Sequence, residues 1–116
     1  MGYELVEWSE VFAKLIMPIG PHLLNREGIP HGGALATVLD TAMGFAGSYT
    51  DDPDKPHIVM TLNLSVNYMA KASGKRLITT AKVTGGGYKT FFAEARASDE
   101  LATVAATATG VFKRKI

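Results

Sequence analysis

Asp40 is the residue whose surroundings are most unusual for its chemistry. It is the only charged residue in 33–48, a segment otherwise built from small, apolar and hydroxyl side chains. An isolated carboxylate is costly to bury, so two interpretations stay open from spacing alone. The side chain reaches solvent or a capping partner, or it does acid or base chemistry. Gly33, Gly44 and Gly47 favour the second interpretation, because they let a ligand or another backbone approach the carboxylate.

The tripeptide His31-Gly32-Gly33 stands directly before this segment. If a helix starts there, its first N–H groups lack partners and lie at the positive end of the helix dipole. Such groups can hold a polarised carbonyl oxygen, although a plain turn into a helix has the same sequence. Asp40 follows Gly32 by eight residues, which is about 12 Å along a helix. A shared site is therefore more easily built from the loop of one subunit and the acid of the next.

The segment 33–48 is predicted to be one long helix, because no proline interrupts it and its apolar residues do not alternate. One broad arc of this helix is apolar and contains Ala34, Leu35, Val38, Leu39, Ala42, Met43, Phe45 and Ala46. Since Lys, Arg and Glu are missing from the segment, the helix is expected to be wrapped by protein on every side. Its excess of apolar surface predicts association with a second copy of the chain.

Alternating apolar residues predict strands on both sides of the helix. Residues 8–19 are predicted to form one strand, and 21–33 a loop rich in Pro and Gly. Residues 58–70 are predicted to alternate cleanly, with one face formed by Ile58, Met60, Leu62, Leu64, Val66 and Tyr68. Strands are also predicted at 76–84, 88–98 and 101–112, and the short turns between them favour antiparallel neighbours. The fold class is therefore α+β, with one long helix against a curved antiparallel sheet.

Composition narrows the possible functions. The 116 residues fit one domain, and the near balance of 12 basic and 11 acidic residues gives no field suited to nucleic acid or an anionic membrane. The absence of cysteine excludes disulfides and thiolate chemistry. Neither a signal peptide nor an apolar run near the ~20 residues of a membrane span is found, so a cytoplasmic protein is expected. The basic cluster at 113–115 is predicted to be solvated, with contact to a phosphate-bearing ligand as the alternative.

Two segments together resemble the signature of hotdog-fold acyl-CoA thioesterases, most closely the phenylacetate-pathway (PaaI-like) group. They read Asn25-Arg26-Glu27-Gly28-Ile29-Pro30-His31-Gly32-Gly33 and Leu39-Asp40-Thr41-Ala42-Met43-Gly44. The likeness extends to 61–72 and, more loosely, to the final strands, so it covers most of the chain. It implies a single hotdog domain over 1–116 that hydrolyses an acyl-CoA to a free acid and coenzyme A. It also implies a dimer or a dimer of dimers (a homotetramer) with active sites at the subunit interface.

The resemblance assigns roles to particular residues. Asp40 becomes the nucleophile or the general base that activates water. The backbone N–H of Gly32, from the facing subunit, polarises the thioester carbonyl, and Asn25 holds that carbonyl or orders the loop. Thr61 falls where relatives place a hydroxyl that positions the attacking water, whereas without the family it is merely a strand residue. His31 is expected to shape the loop.

Coenzyme A is expected to thread between subunits. The residues predicted to bind substrate are His31, Gly33, Asn63, Tyr68, Gly86, Gly87, Tyr88, Lys89, Thr90 and Lys115. Three glycines at 85–87 allow close backbone approach and Lys89 can meet a phosphate, although a flexible hairpin turn explains them equally well. Tyr88 departs from the family pattern, in which a basic residue is common. No cofactor or metal is expected, because coenzyme A is part of the substrate and a thioester is already activated.

Two other functions stay open beside hydrolysis. One is a hotdog hydratase or dehydratase acting on enoyl or 3-hydroxyacyl thioesters, for which His31 is poorly positioned. The other is a non-catalytic acyl-CoA-binding domain, which is usually fused to a DNA-binding segment that 116 residues do not accommodate. Phenylacetyl and hydroxyphenylacetyl thioesters are the acyl groups that the family implies.

Overall fold

The computed structural model describes residues 2–20, 32–52, 54 and 57–115. The elements in chain order are β1 (Glu4–Ser9), β2 (Phe12–Pro18), α1 (Gly32–Ser48), β3 (Ile58–Tyr68), β4 (Arg76–Gly86), β5 (Thr90–Asp99) and β6 (Val104–Lys115). In this described part the strands form one six-stranded antiparallel sheet in the order β1-β2-β4-β5-β6-β3. The curved, unclosed sheet packs one face against α1, so the predicted α+β arrangement is confirmed.

The helix α1 has 17 residues, contacts every strand and buries the predicted apolar arc. Its buried apolar residues are Leu35, Val38, Leu39, Ala42, Met43 and Ala46. Opposite them, the stacked rings of Phe91 and Phe112 lie 5.2 Å apart and fill the inner face of the sheet. Gly47 is required by this packing, because a Cβ there would collide with the ring of Phe91. The helix is wrapped on its apolar side, whereas Asp40 and Gly44 on the other side are only half-buried.

The N-terminal segment differs from the prediction of one strand over 8–19. It is a hairpin in which β1 pairs with β2, and Glu10 and Val11 form the turn. Val11 adopts a positive φ of 65° and is 49% exposed. The turn contains none of the Gly, Pro or Asn residues that mark most hairpins, so the alternating pattern continued through it without a visible break.

The four strands after the helix are confirmed, with ends that differ from the prediction by up to three residues. The pairing of these strands in the sheet agrees only partly with the prediction that consecutive strands are neighbours. β4 pairs with β5 and β5 with β6, but β3 pairs with β6 rather than with β4. The prediction failed there because the edge of β4 is taken by β2, a pairing between strands that are distant in sequence.

β3 contains a bulge that the predicted alternation missed. Thr61 is paired with Phe112, whereas Asn63 is paired with the next residue along β6, Val111, so Leu62 is an extra residue. A bulge reverses the alternation of faces. Thr61 therefore lies opposite the buried Phe112 on the helix side of the sheet, and Tyr68 faces the same side beyond the bulge. The prediction that Ile58 and Met60 share the face of Tyr68 was wrong.

Candidate active site

The carboxylate of Asp40 meets the hydroxyl of Thr61. Asp40 is half-buried in the third turn of α1, and Thr61 Oγ1 donates a hydrogen bond of 2.7 Å to its Oδ1. Among the described residues no Lys or Arg lies within salt-bridge distance of Asp40, and its Oδ2 accepts no further hydrogen bond from them. A carboxylate held by one neutral donor keeps lone pairs available for chemistry.

The first turn of α1 is fixed by the other end of β3. The hydroxyl of Tyr68 donates a 2.9 Å hydrogen bond to the carbonyl oxygen of Gly32. The Tyr68 ring also lies so close that a Cβ at Gly32 would sit 3.3 Å from it. The N–H groups of such a first turn have no intrahelical acceptor and are free for a ligand. Gly33 follows with open space beside it. His31 and Asn25, also predicted for this site, lie outside the described residues.

The predicted nucleotide turn lies at the opposite end of α1. Gly86 has a φ of 101°, which favours glycine, and the N–H of Gly87 donates to the carbonyl of Thr90 across the turn. The side chains of Tyr88 and Lys89 are exposed. The turn therefore combines close backbone access with the exposed side chain of Lys89.

Arg114 joins this turn to the helix, a role that sequence reasoning missed. Its Nε donates to the carbonyl of Gly47 over 2.7 Å, and its Nη1 donates to those of Gly87 and Tyr88 over 3.1 and 2.6 Å. The guanidinium also lies over the ring of Phe91, 4.4 Å from its centroid. The prediction of a solvated basic end was therefore wrong for Arg114. The sequence did contain an indication of this role. Arg114 follows Phe112 by two residues, so both side chains lie on the helix side of β6.

A cavity of about 180 Å³ adjoins Arg114 and is lined also by Tyr49, His57 and Tyr88. The Nδ1 atom of His57 is buried without a hydrogen-bond partner among the described residues. A hydrogen bond to Asp51, together with the charge of that residue, raises the pKa of Tyr49. A larger open depression of about 450 Å³ lies on the opposite face of the sheet and does not include Asp40. We assign the chemistry to the helix side because the free carboxylate lies there.

The remaining predicted substrate residues are dispersed. Asn63 lies beyond the bulge, opposite Val111, and therefore faces away from Asp40. Lys115 ends β6 opposite Ile58. Thr90 begins β5 at the turn. The described chain thus brings together Asp40 with Thr61, and Gly32 with Tyr68, but it does not bring Asn63 to either pair.

Neither a metal-binding cluster nor a membrane-spanning helix is found in the described ranges. No three His, Asp or Glu side chains there are grouped so that they can hold a metal ion. Within those same ranges, no helix has both the length and the apolar character that a bilayer crossing requires.

Comparison with known sequences identifies relatives with one kind of activity. A family model described as the thioesterase superfamily matches residues 27–108, well over half of the chain. The medium/long-chain acyl-CoA thioesterase YigI of Salmonella typhimurium is 29% identical over 94% of this chain and 80% of that protein. PA0474 of Pseudomonas aeruginosa is 33% identical over 76% of this chain, which spans 64% of that relative's length.

Solved structures with the same fold confirm the hotdog architecture expected from the sequence. The conserved protein PA5202 of Pseudomonas aeruginosa superposes with a TM-score of 0.88 at 28% identity, over 98% of this chain and 89% of its own. BH2602 of Bacillus halodurans, solved with CoA, superposes with a TM-score of 0.79 at 27% identity, over 88% of this chain and 66% of its own.

Proposed function

Because this chain is an enzyme of the thioesterase superfamily, we propose that it hydrolyses an acyl-CoA thioester to a free acid and coenzyme A. The observation that carries the proposal is the carboxylate of Asp40, which has no cationic partner among the described residues and is held by the hydroxyl of Thr61. A thioester is an activated acyl group, so one carboxylate and one oxyanion donor suffice for its hydrolysis.

Asp40 has two possible roles in this reaction. As a general base, it takes a proton from water while the water oxygen bonds to the acyl carbon. As a nucleophile, it bonds to that carbon first, and water then cleaves the mixed anhydride. In both cases the C–S bond breaks, coenzyme A leaves as the thiolate, and its sulfur takes up the proton that water gives up. In the general-base route Asp40 passes on that proton, and in the nucleophile route it is released when water cleaves the anhydride. Thr61 supports either role, since a hydroxyl that donates to Asp40 retains lone pairs that can accept from the attacking water.

The oxyanion donor is proposed to come from a second copy of the chain. Gly32 and Asp40 are separated by eight residues of α1, or about 12 Å, which is too far for both to reach one carbonyl. Pairing the N–H of Gly32 of the partner subunit with Asp40 removes this difficulty. Asn25, in the preceding loop, is proposed to hold the same carbonyl or to order the loop.

The sheet edge supports assembly into a dimer or a dimer of dimers. Within the described residues, β3 pairs with β6 on one side and with no strand on the other. This edge strand has 11 residues, and its Ile58 and Leu62 are 61% and 53% exposed. A long apolar edge strand is a template for pairing with another chain.

Coenzyme A is proposed to bind at the turn that Arg114 anchors. Gly47, which Arg114 joins to that turn, follows Asp40 by seven residues of α1, or about 10 Å. That distance is within the reach of a pantetheine arm. Tyr88 and Lys89 are exposed there and are proposed to contact the nucleotide. The acyl group is proposed to be phenylacetyl or hydroxyphenylacetyl, on the resemblance to the PaaI-like group.

The test is release of free thiol from a panel of acyl-CoAs, followed with a colorimetric thiol reagent. The panel contains phenylacetyl-CoA, hydroxyphenylacetyl-CoA and straight-chain acyl-CoAs of 4 to about 16 carbons, because the relative YigI is named for medium and long chains. Thiol release by the wild type but not by Asp40→Asn supports the proposal. If no thioester releases thiol, the hydrolase is contradicted, and mass spectrometry then distinguishes hydration from binding without turnover.

A further inference from the structure

Tyr68 and Thr61 contact α1 from the same face of β3, although their spacing predicts opposite faces. They are seven residues apart, and residues separated by an odd number lie on opposite faces of a regular strand. The bulge at Leu62 lies between them, and its extra residue brings both side chains to the same face. One strand thereby holds the helix at Gly32 and at Asp40, the two points that the proposed reaction requires.

Gly32 is a poor anchor for an oxyanion donor when it is considered alone. Glycine has the largest conformational freedom of any residue, so the direction of its N–H is weakly fixed by the chain. A donor contributes most to catalysis when it is preorganised toward the developing charge. As the first residue of α1, Gly32 has an N–H that no intrahelical hydrogen bond holds. A neighbouring group that holds Gly32 in place therefore preorganises this donor.

Tyr68 supplies that restriction through two contacts. Its hydroxyl fixes the carbonyl of Gly32 by the 2.9 Å hydrogen bond, and so fixes the peptide plane that follows. Its ring covers the α-carbon, where an added Cβ would lie 3.3 Å away. With the carbonyl and the α-carbon both held, little freedom remains for the N–H on the other side of that carbon. Tyr68 itself is 58% exposed, so core packing alone does not explain these contacts.

We propose that Tyr68 is a positioning residue, which acts through Gly32 by holding its N–H in the direction needed to stabilise the oxyanion. This inference rests on the proposed thioester hydrolysis and revises the expectation that Tyr68 binds substrate directly. Because it acts on the transition state through another residue, removal of its hydroxyl should lower kcat and leave KM unchanged.

The test compares Tyr68→Phe, which keeps the ring and removes the hydroxyl, with the wild type and with Tyr3→Phe. Tyr3 precedes β1 and contacts Phe45, so its variant makes the same chemical change away from Gly32. We expect Tyr68→Phe to lower kcat about 3- to 10-fold, as for loss of one neutral hydrogen bond. KM should not change, and the thermal midpoint should fall by no more than about 5 °C, the effect of one neutral hydrogen bond on stability. The ¹⁵N order parameters of the Gly32 and Gly33 amides should fall from the rigid value of about 0.85.

The outcomes separate this inference from its alternatives. A raised KM at constant kcat means that Tyr68 touches substrate, and a lowered midpoint at constant kcat means that it only supports the fold; either result overturns the positioning role. If the wild type hydrolyses no thioester, the proposed function fails together with the catalytic part of this inference. The order parameters then still decide whether Tyr68 anchors Gly32, and unchanged values overturn that as well.

Discussion

Thr61 Oγ1 lies 2.7 Å from Asp40 Oδ1, which joins residues 21 positions apart in the sequence. The bulge at Leu62 puts Thr61 on the same face of β3 as Tyr68. Without it, the two residues would lie on opposite faces. The contact between Thr61 and Asp40 fixes one oxygen of the carboxylate and leaves the other directed away from this donor. Asp40 is thus oriented by a neutral group, and its second oxygen is left for a role as base or nucleophile.

Replacing Asp40 with Asn should abolish turnover without disturbing the fold. Asn keeps an oxygen that can accept the Thr61 hydrogen bond, but it has neither the charge nor the basicity of a carboxylate. We expect kcat to fall at least about 100-fold, the lower range for loss of an acid or base group. The thermal midpoint should stay within about 2 °C of the wild type, since no cation pairs with this carboxylate in the described chain. Near-normal kcat on any good substrate would show that Asp40 has been assigned the wrong role.

The hydroxyl of Thr61 should be separable from its methyl group. Thr61→Val keeps the β-branched shape and removes the donor to Asp40, and hydrogen bonds to charged groups contribute about 1.5–3 kcal/mol. We therefore expect kcat to fall about 10-fold or more in Thr61→Val and less than about 3-fold in Thr61→Ser. Steady-state kinetics on one acyl-CoA measure both variants. Equal losses in the two would indicate that packing, not the hydrogen bond, explains the effect.

The sequence was sufficient to predict the helix, for a physical reason. A segment of apolar and small residues with a single charge favours packing of its apolar arc against protein, and α1 does so; the expected wrapping on every side is not seen in the described chain, where Asp40 and Gly44 are half-buried. The pairing of Thr61 with Asp40 was not predictable from strand periodicity, since a regular strand over 58–68 turns Thr61 away from Leu64, Val66 and Tyr68. The role expected for Thr61 came from the family resemblance alone. A bulge leaves no reliable mark in a single sequence.

The features that the sequence did not predict were missed for two other reasons. The turn at Val11 lacks glycine and proline, so local chemistry did not reveal it. The pairing of β3 with β6 and the contacts of Arg114 join residues far apart in the chain, and local patterns carry no information about which distant partner is chosen. The connection between β4 and β5 was predicted from three consecutive glycines, which are a strong local signal, but its position was not. Gly85 and Gly86 belong to β4, and the connection lies at 87–89.

Asp99 should make the stability of the fold depend on acid pH. This carboxylate is 2% exposed and accepts four backbone N–H bonds, from Ser73, Gly74, Leu101 and Thr103. These bonds, that of Thr103 foremost, hold the pKa of Asp99 below its usual value of 3.8 although burial opposes them. A lowered folded pKa gives stability that is complete above the unfolded value and is lost as pH falls through the folded one.

We therefore expect the thermal midpoint of the wild type to decline as the pH falls below about 4. Asp99→Asn should have a lower midpoint than the wild type at pH 7, and the difference should shrink as the pH is lowered. The control is Asp54→Asn, which removes the same charge at an exposed turn. Melting curves across pH 2–7 decide the matter; parallel curves for the two variants would rule out a special contribution of Asp99.

Arg114 should affect binding of the coenzyme A part of the substrate and not binding of the acyl group. Lys cannot reproduce the fork that binds the carbonyls of Gly47, Gly87 and Tyr88 at once, so Arg114→Lys should loosen the turn. We expect KM for an acyl-CoA to rise several-fold. KM for the same acyl thioester of N-acetylcysteamine, which has no nucleotide, should not change. Lys113→Gln is the control, as it removes a neighbouring exposed charge. Equal effects on both thioesters would place the nucleotide elsewhere.

Substitution by alanine should have opposite effects on stability at Gly44 and at Gly47 of α1. A Cβ at Gly47 collides with the ring of Phe91, whereas a Cβ at Gly44 meets nothing within 4 Å. We expect Gly47→Ala to lower the free energy of unfolding by about 1–3 kcal/mol, the usual cost of overpacking. Gly44→Ala should raise it by up to about 1 kcal/mol through helix propensity. Urea unfolding at one fixed protein concentration measures both, because association with a second copy would otherwise shift the midpoints. If Gly47→Ala were as stable as Gly44→Ala, the Phe91 ring would have to move at little cost, and the close packing of helix and sheet at that point would be wrong.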